Sequence, residues 1–269
     1  MTSQRPPLST VSLGLFLLIS GACLTTAKPA SAQGERAKTT RRPHSVGLDA
    51  SVGLGFLTSP RPYIGADSQS FPIPIVNIKY RRWFLESIRG GYAFVQRERL
   101  DARAFTQVRF QGLEPDSSPF LEGMETRQRS LDAGVEVIYR ERPVGFRVSA
   151  QSDVLGRSNG QEASAAAITG APLGKALVLV GFGPRWLSRD RVNYYYGVRT
   201  SEARPGRPQY SAPSTINWDL TVTTVYNPTP RWTVFGLLTR EGLGSSIRSS
   251  PLVERTSAYS LIAFVSYKF

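Results

Sequence analysis

Residues 45–56 of the chain read SVGLDASVGLGF, with an apolar residue at every second position from Val46 to Phe56. Small or polar residues fill the positions between them, so a β-strand here would have one apolar face and one polar face. A strand of about twelve residues is longer than the five or six that are common in soluble sheets. It fits a tilted transmembrane strand, which needs about 9–11 residues.

The same alternation recurs along the chain. It is clear at 131–139, 146–151 and 216–226, and weaker alternation predicts strands at 72–81, 84–95, 101–111, 161–171, 175–187, 190–199 and 230–241. With the first and last strands the count is about twelve, and bacterial barrels have an even number. We therefore predict an all-β protein, an antiparallel transmembrane β-barrel of about 12 strands, with 10 strands as the alternative.

The last predicted strand, residues 259–269 (YSLIAFVSYKF), stops on an aromatic residue. A terminal aromatic preceded by apolar residues at alternate positions is the pattern that the outer-membrane insertion machinery reads. The alternative is the last strand of a soluble β-sandwich. We predict an insertion signal made of Tyr259, Leu261, Val265, Tyr267 and Phe269.

The first residues predict export. Residues 11–24 form a short apolar stretch, and Ala30-Ser31-Ala32 provides the small-x-small pattern that signal peptidase requires. We predict a cleaved signal peptide at 1–32, a flexible basic lead-in at 33–44 and the barrel at 45–269. The alternatives are a retained signal anchor and lipidation of Cys23, the one cysteine of the chain.

The chain is basic, with 33 Lys and Arg against 20 Asp and Glu and a net charge of +13. For an exported protein this charge favours outer-membrane lipid and lipopolysaccharide, phosphates or wall polymers as partners. No nucleic-acid motif is present in the sequence, so we expect no nucleic-acid partner.

The sequence favours a protein without catalysis. The one histidine, His44, lies in the lead-in, where no barrel wall would orient it. Gly156-Arg157-Ser158-Asn159-Gly160 matches the G-x-S-x-G string, but it lies between two amphipathic strands and reads as a hairpin turn. We find no phosphate-binding, zinc or calcium motif, and we predict that the protein is not an enzyme and has no cofactor or metal site.

Residues 112–126 (GLEPDSSPFLEGMET) stand apart. Strand parity places them at the periplasmic end, whereas 58–71, 200–213 and 243–254 become outward loops and 227–230 a periplasmic turn. The segment contains acidic residues and an apolar cluster, Phe120, Leu121 and Met124, which we predict to be a partner contact. The alternatives are a plug in the barrel mouth and a mistaken strand count.

Four short strings resemble the MltA-interacting protein family, also called MipA/OmpV. They are Tyr63-Ile64-Gly65-Ala66-Asp67 with Pro72 and Pro74; Tyr195-Tyr196-Gly197-Val198 with Ser201-Glu202-Ala203 and Tyr210; Ser250-Pro251-Leu252-Val253; and the ending Tyr267-Lys268-Phe269. The family commonly has a second hydroxyl residue where Ala66 stands. The resemblance covers about residues 45–269 and implies an outer-membrane barrel with no established catalytic residues.

The same resemblance implies a scaffold that links murein hydrolases to murein synthases, and so periplasmic murein-processing enzymes as partners. A passive or ion-selective pore and a surface adhesion protein remain open, because charged residues such as Asp49, Glu136, Arg147 and Asp219 fall on the predicted lumen face and the outward loops are long.

Overall fold

The structure, a computed structural model, describes residues 48–59 and 61–269. The predicted signal peptide and lead-in, with Cys23 and His44, lie outside the described residues. Within them, twelve antiparallel strands close into a barrel in chain order. The strands are β1 Asp49–Ser59, β2 Gln69–Tyr80, β3 Trp83–Glu86, β4 Arg89–Gln96, β5 Leu100–Arg109, β6 Ser130–Tyr139, β7 Gly145–Asp153, β8 Gln161–Leu173, β9 Ala176–Leu187, β10 Thr215–Tyr226, β11 Trp232–Gly242 and β12 Ser257–Lys268.

The barrel is closed by pairing of the first strand with the last. β1 pairs with β12 from Ser51 opposite Lys268 to Thr58 opposite Leu261, and with β2 along its whole length. This closure joins the first and last strands of the sheet. On its other side β2 pairs with the short β3 only from Asn77 to Tyr80, so its residues 69–76 have a strand partner in β1 alone. The predicted fold class and the count of twelve strands are confirmed, and the alternative of ten is wrong.

Two of the predicted strands are wrong, and their errors cancel in the count. Residues 84–95 form not one strand but the short β3 and β4, because the chain reverses at Ser87, whose φ of 53° is in the left-handed region. Residues 190–199 are not a strand, because Arg189–Tyr196 form an α-helix, α1, whose first turn is capped by the Ser188 side chain. A second helix, α2, spans Ser245–Arg248. No helix in 48–59 or 61–269 is long and apolar enough to cross a membrane.

The two ends of the barrel differ. The long connections 60–68, 110–129, 154–160, 188–214 and 243–256 share one end, here called the loop end. The short connections 81–82, 97–99, 140–144, 174–175 and 227–231 share the other, the turn end, where β1 begins and β12 stops. Since long loops of such barrels face outward and short turns face the periplasm, the placement of 112–126 at the periplasmic end is wrong. Residues 84–95 form two strands, β3 and β4, where the sequence predicted one, so the connection 110–129 lies at the opposite end of the barrel from the predicted end.

The outside of the barrel is apolar. Its middle carries exposed aliphatic side chains such as Leu54, Val137, Leu220 and Val265. Exposed aromatic side chains lie toward both ends: Tyr80, Trp83, Tyr139, Phe146, Tyr226, Trp232 and Phe269 near the turn end, and Phe56, Trp186, Trp218 and Tyr259 near the loop end. An apolar band between two aromatic girdles is the surface of a membrane-spanning barrel.

The lumen has two unlike walls. One wall is apolar, where Phe235 and Phe264 stack with ring centroids 4.7 Å apart beside Leu57, Ile75 and neighbouring aliphatic side chains. The other wall, from β3 to β11, carries arginines and carboxylates in ion pairs, among them Arg89–Glu136 at 3.3 Å. Of the predicted lumen charges, Glu136, Arg147 and Asp219 lie on this charged wall, whereas Asp49 lies on β1 and pairs with Lys268 at 2.9 Å. The middle of the inward faces of β2 and β12 is apolar, with Ile73, Ile75, Ile262 and Phe264.

Candidate functional site: the cap and the lumen beneath it

The loop-end connections fold together into a cap over the mouth of the barrel. Its apolar core contains residues from four of the five long connections and from the adjoining strand ends. The buried members are Tyr63, Ala66, Leu113, Leu121, Met124, Leu187, Val192, Tyr195, Tyr196, Val198, Ala212, Leu243, Ile247, Leu252, Val253 and Ala258, with Phe120, Tyr194 and Tyr210 packed against them. The loops therefore bury a core of their own, which a set of independent mobile loops would not do.

The three internal strings that resemble the MltA-interacting family meet in this cap. The Tyr63 hydroxyl donates to the backbone carbonyl of Tyr195 at 3.1 Å, and the Ser250 hydroxyl donates to that of Tyr196 at 2.6 Å. The backbone N–H of Ile64 donates to the Leu252 carbonyl at 2.9 Å. Strings that lie far apart in the sequence are thus hydrogen-bonded to one another, and what they share is their place in the cap.

Glu202 joins two of the cap segments. Its carboxylate accepts hydrogen bonds from the backbone N–H of Glu125 at 3.0 Å and of Arg199 at 2.9 Å, and from the Arg127 guanidinium. Burial alone would raise the pKa of Glu202, but the N–H groups of Arg199 and Glu125 and then the Arg127 side chain outweigh it and lower the pKa below its ordinary value. The residue is therefore held in its charged form in the closed cap.

The predicted contact residues Phe120, Leu121 and Met124 lie in the cap. Leu121 and Met124 are buried, and Phe120 packs on the same core. The buried Arg207 guanidinium fastens this segment by donating to the carbonyls of Phe120 at 2.6 Å and Glu122 at 3.0 Å. Their predicted role as a partner contact stays a prediction, and the position in which they are found is the barrel mouth.

The helix α1 is anchored to the barrel wall through Arg191. Its guanidinium donates two hydrogen bonds of 3.0 Å to the carboxylate of Asp132 on β6 and a third of 2.8 Å to the Gly160 carbonyl. A side chain at position 160 would collide with the helix, since a Cβ there would lie 2.6 Å from the Arg191 Cα. Gly160 therefore allows the close approach that brings Arg191 to Asp132.

The tyrosines of the cap core stay neutral. Burial, and then the nearby Tyr196 and Tyr195, raise the pKa of Tyr63 well above its ordinary value, and burial raises the pKa of Tyr195 to about 12. The Tyr195 hydroxyl has no hydrogen-bond partner within the described residues. These groups contribute packing and, through the Tyr63 hydroxyl, a hydrogen bond to the cap, and they do not titrate in the physiological range. The charge-dependent contacts of the cap are therefore those of its arginines and carboxylates.

A cavity of about 300 Å³ lies directly beneath the cap. Tyr196 and Gln111 line its upper side, and the Gln111 amide donates to the Tyr196 hydroxyl at 3.0 Å. Charged side chains of the lumen wall, four arginines and four carboxylates, line the rest together with serines and apolar residues of the opposite wall: Arg89, Arg109, Arg147, Arg185, Glu136, Glu162, Asp219, Glu241, Ser149, Ser164, Leu237 and Ile262.

The G-x-S-x-G string lies in the loop between β7 and β8, as predicted, with no helix after it. The Ser158 hydroxyl donates to the Asp153 carboxylate at 2.9 Å, and the Asn159 backbone N–H donates to the same carboxylate at 3.2 Å, so these contacts close the turn. In 48–59 and 61–269 no three His, Cys, Asp or Glu side chains are grouped to hold a metal ion.

The predicted insertion signal lies on β12. Tyr259, Val265 and Phe269 are exposed on the outer surface, and Leu261 and Tyr267 share their face and are partly covered. Phe269 directly follows β12, the strand that closes the barrel, and its ring meets the Tyr267 ring edge-on at 5.6 Å. Recognition of these residues by the insertion machinery stays a prediction.

Comparison with known proteins gives one family. The family model of MltA-interacting protein MipA matches residues 52–269. MltA-interacting protein of Escherichia coli K12 is 24% identical over 222 residues, covering 81% of this chain and 90% of that protein. Outer membrane protein OmpV of Vibrio cholerae serotype O1 is 28% identical over 156 residues, covering 58% of this chain and 61% of that protein.

A solved outer membrane channel from Pseudomonas putida F1 is 13% identical with a TM-score of 0.46, covering 87% of this chain and all of that one.

Proposed function

The chain belongs to the MltA-interacting protein family of outer-membrane proteins, and from that premise we propose that it is a scaffold that binds a murein-processing enzyme at its periplasmic turn end. The name of the relatives supports the class of partner. The observation that carries the proposal is the difference between the two ends of the barrel. The packed cap closes the loop end, whereas the turn end carries exposed charged side chains.

Exposed basic side chains surround the turn end. They are Lys79, Arg81, Arg82, Arg97, Arg99, Arg142, Lys175 and Arg231, here called the basic rim. Glu98 is an exposed carboxylate at this end, and Glu141 is bound to Arg99 at 2.8 Å. An excess of one sign of charge on a surface attracts partners of the opposite sign. The basic rim therefore suits an acidic surface on the bound enzyme, and the cationic lead-in predicted at 33–44 would add to it.

The test is capture of purified MltA by the immobilised mature protein in detergent. We expect capture that weakens as salt is raised, since contacts between exposed charges are screened. The variant Arg81→Gln with Arg82→Gln, in the β2–β3 turn, should lower capture several-fold. The matched control is Arg255→Gln, an exposed loop-end arginine, which should leave it unchanged. Equal capture by both variants would overturn the role of the basic rim, and no capture by the unaltered protein would overturn the scaffold.

A pore is the second candidate, and the charge-lined cavity favours it. Under this alternative the cap would have to open, because it closes the loop end in the structure. Planar bilayer recordings distinguish the two functions. Stable single-channel steps from the unaltered protein would favour the pore, whereas a silent bilayer together with captured enzyme would favour the scaffold. In either case we propose no catalytic role for the chain.

We further propose that residues 1–32 are removed on export and that the alternating outer face of β12 is the insertion signal. The residues of that face are Tyr259, Leu261, Val265, Tyr267 and Phe269, and their exposure on the closing strand supports the second proposal.

A further inference from the structure

In the cavity beneath the cap, three of the four lining arginines form ion pairs with the lining carboxylates, and one arginine does not. Arg89 pairs with Glu136 at 3.3 Å, and Arg109 pairs with Glu162 at 2.7 Å. Arg185 lies 2.9 Å from Asp219 and also 2.9 Å from Glu241. All four carboxylates that line the cavity are therefore already bound to an arginine.

Arg147 is the exception among the arginines of this lining. It lies on the inward face of β7, opposite Ala166 of β8, and no hydrogen bond or ion pair to it is found in the described part of the chain. A guanidinium has five N–H donors and cannot lose its charge. The N–H donors of Arg147 inside the cavity therefore need hydrogen-bond acceptors, which are either solvent or a ligand that enters the cavity.

The surroundings of Arg147 supply further polar groups. Ser149 is the next inward residue along β7, and its hydroxyl lies 2.8 Å from that of Ser164 on β8. Thr221 lines the same cavity from β10. Hydroxyls beside a free guanidinium are the groups that hold a carboxylate in place, because they can donate to the oxygens that the guanidinium does not reach.

The wall across the cavity is apolar. Leu237 and Ile262 line it. On the charged wall, the Phe105 ring lies under the Arg89 guanidinium, which is 3.7 Å from the ring centroid. A cavity of about 300 Å³ with an apolar side and a few convergent polar groups has the size and character of a site for a small ligand. The cap above it separates it from the loop end.

We propose that this cavity binds a small organic anion, a carboxylate with an apolar body, whose charged group pairs with Arg147. The apolar body then lies against Leu237 and Ile262. This site is separate from the basic rim at the turn end, and it is independent of the scaffold function proposed above.

The test uses benzoate as the probe and the folded mature protein in detergent, with binding followed by calorimetry. Benzamide, which has the same shape without the charge, is the matched ligand. Since a hydrogen bond to a charged group contributes about 1.5–3 kcal/mol, we expect benzamide and the variant Arg147→Gln each to show at least about tenfold weaker binding. The control Arg240→Gln removes an arginine from the outer surface, and it should bind benzoate as the unaltered protein does.

Two further variants keep the test decisive. Arg147→Lys retains the charge without the planar fork and should bind with intermediate affinity; it replaces Arg147→Gln if that variant does not fold. Glu202→Gln loosens the cap, so binding that appears only in this variant shows that the cap controls entry and still supports the site. Three results would overturn the proposed site. They are no saturable binding of benzoate by the unaltered protein or by Glu202→Gln, equal affinity for benzoate and benzamide, or unchanged benzoate affinity in both Arg147 variants.

Discussion

Arg127 and Glu202 form a buried ion pair that connects the two longest cap segments. One guanidinium nitrogen, Nη2, lies 2.7 Å from Oε1 and 2.8 Å from Oε2 of Glu202, and the two side chains are only 2% and 1% exposed. The Arg127 Nε donates to the Tyr194 carbonyl at 2.8 Å. The pair therefore holds 110–129 against 188–214 and keeps α1 next to the rest of the cap.

Removing the carboxylate should open the cap without unfolding the barrel. Glu202→Gln keeps the volume but puts an amide N–H₂ group against donors and leaves Arg127 only the more distant, exposed carboxylate of Glu125, 3.9 Å away. Breaking a buried pair costs about 3–5 kcal/mol. We expect this loss to appear as faster exchange of the backbone amides of the cap. The measurement is amide hydrogen exchange in 110–129 and 188–214, with heat-modifiable gel migration as the check on the barrel.

Glu114→Gln is the matched control for this change. Glu114 pairs with Arg61 at 3.0 Å on the surface of the same segment, where its side chain is 50% exposed. An exposed pair contributes about 0–1 kcal/mol, so exchange should hardly change. If Glu202→Gln exchanged as slowly as Glu114→Gln, the buried pair would not be what holds the cap.

Acid should also loosen the cap. The pKa of Glu202 is lower in the closed cap than in an open one, so its contribution is complete above the ordinary glutamate pKa and is lost as pH falls through the lowered value. The charged groups around it are Arg127, Arg199, Arg207 and Glu125. We expect protease cleavage of the cap to rise below about pH 4.3. Below that pH, the rates of cap cleavage in the unaltered protein and in Glu202→Gln should become similar. A difference in cleavage rate that stays constant down to pH 2 would contradict the role of the Glu202 charge in holding the cap.

The sequence predicts the barrel wall well and the cap poorly, for a physical reason. Period-2 alternation reports a strand with lipid on one side, and it places β1, β6, β10 and β12 within a few residues. The cap has no such period, because its residues are selected by contacts between distant loops. One local signal was available for α1, namely Ser188 followed by Asp190, a helix N-cap with an acidic first turn. The β3–β4 turn depends on Ser87 in the left-handed region, which serine seldom adopts and which no pattern in the sequence marks.

The facing of β10 predicts opposite effects at two adjacent positions. Leu220 is exposed on the lipid side, whereas Thr221 lines the lumen cavity. Leu220→Arg should reduce the folded yield in lipid vesicles, because a charge facing the middle of the bilayer costs roughly 2–4 kcal/mol. Thr221→Arg should be milder, since its side chain reaches polar surroundings. The folded fraction of each variant is read from gel migration. A lower folded fraction for Thr221→Arg than for Leu220→Arg would contradict the assignment of Leu220 to the lipid side and Thr221 to the lumen.

The closing strand predicts an assembly defect. The double change of Tyr267 and Phe269 to Ser should block insertion and leave aggregated protein in the periplasm, because it removes the aromatic end of the outer face of β12. Ser260→Ala, on the inward face of the same strand, is the control and should assemble normally. Surface labelling of intact cells measures both variants. Normal assembly of the double variant would show that these aromatics are not the signal.

The last prediction concerns Phe120, Leu121 and Met124, which the sequence suggested as a partner contact. Leu121 is completely buried in the cap core, and replacing a buried leucine by a small polar residue costs about 2–5 kcal/mol from lost packing alone. Changing all three residues to Ser should therefore loosen the cap, and labelling of 110–129 from outside intact cells should increase. Barrel assembly and capture of MltA should both remain normal, because the segment lies at the end opposite the basic rim. If assembly stayed normal but capture were lost, the partner contact would be at these residues, and the periplasmic rim would not be the docking surface.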